Sequence, residues 1–170
     1  MGFFDFFTNQ SQPELKKFNQ LFIELQNNFP DLSEKDLVVS SCIAGLLARI
    51  AYVDFHLDPE EIRKIDHLIQ DWSFNPEIDS SVLANMAITH IKEMAGLENH
   101  LYVHPLNEYL SQEDKYRVLQ SLFLVAASDG NVDTVESEEI RIITKGLNLS
   151  NQHFIAARAG VAKYLGALKR

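Results

Sequence analysis

At 170 residues, 46% of them hydrophobic, the chain is the size of one domain and can build a real core. Its net charge of −9 argues against nucleic acid, whose phosphates demand a basic face, and against charge-driven attachment to anionic lipid. The lone Cys42 excludes an internal disulfide, no apolar run reaches the roughly 18–20 residues of a membrane span, and Met1–Phe7 lacks the basic region of a secretory leader, so a cytoplasmic protein is expected.

Glycine and proline are sparse, and apolar residues recur at three- and four-residue steps, which predicts an all-α fold. A first helix follows Pro13, carries Leu15, Phe18, Leu21, Phe22 and Leu25 on one face, and stops at Asn27, Asn28 and Pro30. Ser33 with Asp36 three residues on is a capping signature for a second helix. From Leu37 to Val53 that helix is apolar nearly all round, which makes it central and buried, with Cys42 an inert core thiol. Asp58-Pro59-Glu60-Glu61 opens a third helix running to Trp72, and Pro76 opens a fourth carrying Ile78 to Met94. Between Gly96 and Leu110 the pattern predicts a turn and a short helix over 106–110. Ser111 and Asp114 cap a second buried helix through Val118, Leu122 and Ala126. After another acidic loop come Ile140 and Ile143, a stop at Gly146, and a last helix from Ser150.

The chain repeats itself. Leu47, Ala51, Asp54, Asp58, Glu61 and Ile65 fall without a gap on Leu122, Ala126, Asp129, Asp133, Glu136 and Ile140, an offset of 75 residues between each pair. The identities are inward-facing apolar positions and loop acids, which is what a duplicated helix–acidic loop–helix unit preserves. The expected architecture is one compact domain of seven to eight helices over 13–170, with repeat units at 33–72 and 111–147 and an aromatic tail at 1–12.

Ala-Ala-Ser-Asp129-Gly130-Asn-Val132-Asp133, Glu136, Ile140-Arg141 and the following Leu147-Asn-Leu149-Ser150 resemble the second half of TerB-family proteins. Ile50-Ala51, Asp54, Leu57-Asp58, Glu60-Glu61 and Ile65 resemble the first half, and together the likeness covers roughly residues 35–168. It implies a small helical bacterial protein associated with tellurite resistance. In one place the chain departs: the family's Asp-Gly is Asp54-Phe55 in the first unit, which argues against a left-handed turn residue there.

The acids have two readings. Asp58 and Asp133 stand where N-caps belong, with Glu61 and Glu136 as the return arms of capping boxes. Asp54 and Asp129 end buried helices, where the macrodipole repels a carboxylate by roughly 0.3–1 kcal/mol. That cost is expected to be offset either by free N–H groups of the next helix or by a cation. Hard divalent ions want several oxygens, so Asp54, Asp58, Glu61, Asp129, Asp133 and Glu136 are candidate metal ligands, for Ca²⁺, Mg²⁺, Mn²⁺ or Zn²⁺, from two loops that face each other. An EF-hand is excluded, because Thr134 replaces the turn glycine and Ile140 stands where the bidentate glutamate belongs. His56 is read as an exposed loop residue, and His100 and His104 are a four-residue pair weakened by Pro105.

Phe3, Phe4, Phe6 and Phe7 need cover, from the chain itself, a protein partner or a peripheral membrane contact, here the inner membrane. The leading expectation is a non-enzymatic stress-response protein of tellurite-resistance type that binds a divalent cation through the paired loops. The alternative is a protein–protein interaction or scaffold module in which the acids are only caps. A metal-dependent hydrolase ranks third, because no nucleophile–base pair accompanies the carboxylates. No catalytic residue and no nucleic-acid partner are expected.

Overall fold

Ser33, extended at φ −64 and ψ 150, accepts a hydrogen bond from the backbone N–H of Asp36 at 3.1 Å, and its hydroxyl donates to Asp36 Oδ2 at 2.7 Å. This cap starts the helix α1, Glu34–Ala51. In a computed structural model that describes residues 22–71, 79–90, 92 and 99–168, six further helices follow among the described residues. They are α2 (Pro59–Asp71), α3 (Ser80–Thr89), α4 (Asn99–Tyr109), α5 (Gln112–Ala126), α6 (Thr134–Gly146) and α7 (Asn151–Leu168). Residues 22–28 form the described end of an earlier helix that buries Phe22 and Leu25 and stops before Pro30, as expected. Among the described residues there is no strand, and no helix is long and apolar enough to cross a membrane.

α1 is the axle. Its residues from Leu37 to Ala48 are all buried, and it packs against α2, α3, α4, α5 and α6. α5 is the second buried rod, lying on α1, α2, α6 and α7 through Val118, Leu119, Leu122, Phe123 and Val125. Cys42 is fully buried in this core, and burial pushes its thiol far above the usual range, so the reactive thiolate is disfavoured. Where α4 crosses α1, Gly45 lets the Tyr102 ring approach: a Cβ there would lie 2.3–2.9 Å from three ring carbons.

One boundary differs from expectation, one lies partly outside the described residues, and one is reached by a different device. α4 covers eleven residues rather than the last few before Leu110, because Pro105 is accommodated inside the helix, where its ring is buried with Leu101, Tyr102 and Leu106. Tertiary packing outweighs the local cost of proline. α3 opens at Ser80, where the Asp79 side chain accepts from Ser81 N, and the expected start at Pro76 and continuation to Met94 lie outside the described residues, as do Trp72 and the aromatic tail. Gly146 does end α6, but not as the left-handed residue. That is Asn148 at φ 57, with Leu149 N–H bonded to Thr144 O and Asn148 N–H to Lys145 O, a Schellman stop. Gly146 instead clears space for α4: its Cβ would sit 3.0 Å from Val103 Cγ2, and its carbonyl accepts from Asn107 Nδ2 at 2.7 Å.

α1 and α5 end, and α2 and α6 begin, at the same 75-residue offset as the sequence repeat (Ala51 and Ala126, Pro59 and Thr134). The capped starts do not follow it. Ser33 and Ser111 stand 78 apart, so α1 is three residues longer than α5.

Candidate functional site: two acidic loops and a pair of buried glutamates

Each unit makes its turn in the same way. The Asp54 carboxylate accepts the backbone N–H of His56 at 2.8 Å, and Asp129 accepts that of Asn131 at 3.0 Å. These are local Asx turns. They correct the expectation that the next helix's free N–H groups hold these aspartates. α1 and α5 already end at Ala51 and Ala126, so Asp54 and Asp129 stand beyond the last carbonyls and are exposed. The dipole penalty falls off within the last turn, and the loop's own amides suffice to anchor them.

The second correction is Phe55. Despite its bulk it takes the left-handed conformation, φ 64, at the place where Gly130 sits at φ 99 in the other unit.

Asp133 and Glu136 form a complete capping box: Asp133 Oδ1 accepts Glu136 N–H at 2.8 Å, and Glu136 Oε2 accepts Asp133 N–H at 2.9 Å. In the first unit Glu61 Oε2 accepts Asp58 N–H at 3.0 Å, while Asp58 Oδ1 takes the N–H of Glu60 at 2.7 Å, one residue short of a full box. Asp133, Glu136 and Glu61 therefore act as the sequence predicts, while Asp58 caps through the N–H of Glu60 and leaves the first box incomplete.

Their burial was not foreseen. Glu61 is 8% exposed and Glu136 7%, although glutamate is among the residue types least often buried. Burial pushes the Glu61 carboxyl up to about 7, its bond from Asp58 N–H pulls it down, and the negative charges of Asp54, Asp129 and Asp58 raise it further. Glu136 is pushed up to about 8, again first by burial, opposed by its Asp133 N–H bond and reinforced by Asp133, Glu61 and Asp129. Glu61 thus feels Asp129 of the other unit, and Glu136 feels Glu61. The two acidic loops share one electrostatic environment. Burial of the glutamates, and not the placement of the aspartates, is the unusual feature of this cluster. The glutamates' place at the third helical position, on the side their helix turns inward, was the only sequence signal for it.

A polar clamp lies next to the cluster. Arg49, on the last turn of α1, donates from Nε to Glu139 Oε1 at 2.6 Å, and Asn99 Nδ2 donates to the same oxygen at 2.8 Å. Both charged side chains are largely covered, and the clamp joins the end of α1 to the middle of α6, with the first residue of α4 as third party.

Among the described residues no three carboxylate, imidazole or thiolate groups converge as a ready-made metal cage. His56 is exposed. His100 and His104 both lie on an exposed side of α4, with His104 Nε2 3.6 Å from Glu108 Oε1. A cleft of about 390 Å³ between α2, α5 and α7, lined by Leu68, Arg117, Leu124 and Val161, opens at the far end of α2 from the acids.

No curated protein and no solved structure matches the chain. The family model described as "Tellurite resistance protein TerB" matches residues 40–159, from the core of α1 through both acidic loops to α7. The chain belongs to the TerB family.

Proposed function

We propose that this TerB-family chain is a non-enzymatic, cytoplasmic stress-response protein that binds a divalent cation at the junction of its two acidic loops. One observation carries the reading: two glutamates, one from each unit, are buried, Glu61 within the field of the other unit's Asp129 and Glu136 within that of Glu61, so their negative charge is raised in energy and calls for neutralisation. A proton can supply that charge, and so can a metal ion. The donors are all oxygen, which suits a hard cation. Mg²⁺ in particular keeps most of its water and takes only one or two carboxylates from protein, so no closed cage is required. Asp54 and Asp129, exposed and fixed through one carboxylate oxygen each, supply the outer ligands, with Asp58 and Asp133 behind them.

The test is a melting curve after EDTA, then with excess Ca²⁺, Mg²⁺, Mn²⁺ or Zn²⁺, on wild type and on the double variant Asp54→Asn with Asp129→Asn. An ion at about 100 times its Kd adds about 2.7 kcal/mol to wild type and little to the variant. Wild type unmoved by every ion, or a variant that gains equally, refutes the cation.

The capping bonds themselves favour a second reading, an interaction or scaffold module whose acids serve only to start α2 and α6. It predicts no ion dependence, and the same melting curves decide between the two.

A further inference from the structure

Phe55 is 82% exposed and held at φ 64, a conformation in which a bulky residue is an outlier. The molecule contains its own control. Gly130 occupies the equivalent turn at φ 99, with no atom within 4 Å of where a Cβ would stand. The turn needs only a glycine, yet the first unit carries a phenylalanine that its own core does not use. Beside it, Tyr52 occupies the position of Ala127. The two rings pack edge to face, with centroids 5.9 Å apart and planes at 83°. Strain held at a solvent-facing aromatic directs attention to what it contacts outside the chain.

The surroundings indicate what that is. Asp54 precedes the ring in sequence, and Asp58 and Glu60 follow it, all on the same loop and the first turn of α2. Glu60 is bridged by Arg63 at 2.8 Å, whereas the Asp54 and Asp58 carboxylates accept from backbone N–H groups of their own loop. An open aromatic face beside carboxylates recognises a lysine or arginine side chain: the ring attracts the cation, and the acids steer and complete it.

We propose that Tyr52 and Phe55, with Asp54 and Asp58 beside them, form a docking knuckle for a lysine- or arginine-rich segment of a partner protein. The knuckle uses the outer side of one loop and does not depend on the buried glutamates.

The experiment titrates a fluorescein-labelled decapeptide of alternating arginine and glycine against the full chain at about 0.15 M ionic strength, where loose attraction is screened. A glutamate–glycine decapeptide is the control. Wild type is expected to bind the cationic peptide and not the anionic one. Phe55→Gly, which copies the second unit, melts within a few degrees of wild type and weakens binding about tenfold, and Phe55→Trp retains it. Equal binding by wild type and Phe55→Gly overturns the proposal, because attraction to net charge then accounts for everything. So does the absence of cationic-peptide binding by wild type. Sedimentation that shows Phe55→Gly dissolving a dimer assigns the knuckle to a second copy of the chain, and loss of binding to phosphatidylserine vesicles assigns it to a membrane; either overturns the partner segment. Phe55→Gly leaves any cation-induced rise in melting temperature in place, so this inference and the cation reading fail separately.

Discussion

Replacing Glu61 and Glu136 together by glutamine is the most direct test of the buried pair. Glutamine keeps a side-chain oxygen to accept the Asp58 and Asp133 N–H groups and is itself a good partner in a capping box, so the caps survive while the charge is lost. Both carboxyls titrate higher in the folded chain than in an unfolded one, where 4.5 is the ordinary value, so the folded state holds more protons between about pH 4.5 and 8. Their contribution to stability is complete below about pH 4.5 and is lost as pH rises through 7 and then 8. At about 1.4 kcal/mol per pKa unit, the displacements to about 7 and about 8 set a ceiling near 8 kcal/mol for the pair. Water at the loop mouth and the coupling between the two acids cut that by more than half, leaving about 2–4 kcal/mol. The double glutamine variant should therefore match wild type near pH 5 and exceed it by about 2–4 kcal/mol near pH 8.5, about 5–12 °C in Tm for a chain of this size. Calorimetry across that range in the presence of EDTA provides the measurement. A variant that loses the same stability at both pH values refutes the reasoning, because the glutamates would then be ordinary caps whose charge costs nothing.

The clamp and the tight helix crossing yield further expectations. Arg49→Met strands a largely covered Glu139 carboxylate that only Asn99 Nδ2 still bonds, and should cost about 3 kcal/mol; adding Glu139→Met should restore most of it, as read by urea denaturation of the two variants. Gly45→Ala drives a methyl into the Tyr102 ring where α4 crosses α1 and should cost about 1–3 kcal/mol, with Tyr102→Leu in the same chain recovering part of the loss in thermal melts.

Several of these features were legible from residues alone. The apolar circumference of α1, the serine caps of α1 and α5, the acids capping α2 and α6, and the 75-residue repeat all follow from local bonds or from a side-chain period, which a sequence carries directly. Sequence likewise supplied the family, because the loop acids and their flanking apolar positions are contiguous. Local chemistry also misled. It assigned strain to Asp54 and Asp129, which the loop's own amides satisfy, and it denied Phe55 the left-handed turn that the structure gives it.

Only the tertiary structure decided that Glu61 and Glu136 lie buried within reach of each other's charge, that Arg49 meets Glu139 ninety residues away, and that Pro105 belongs inside a helix. Burial and long-range charge depend on which surfaces the packed helices bring together. A capping glutamate has the same sequence signature whether its helix starts in open water or beside a second row of acids.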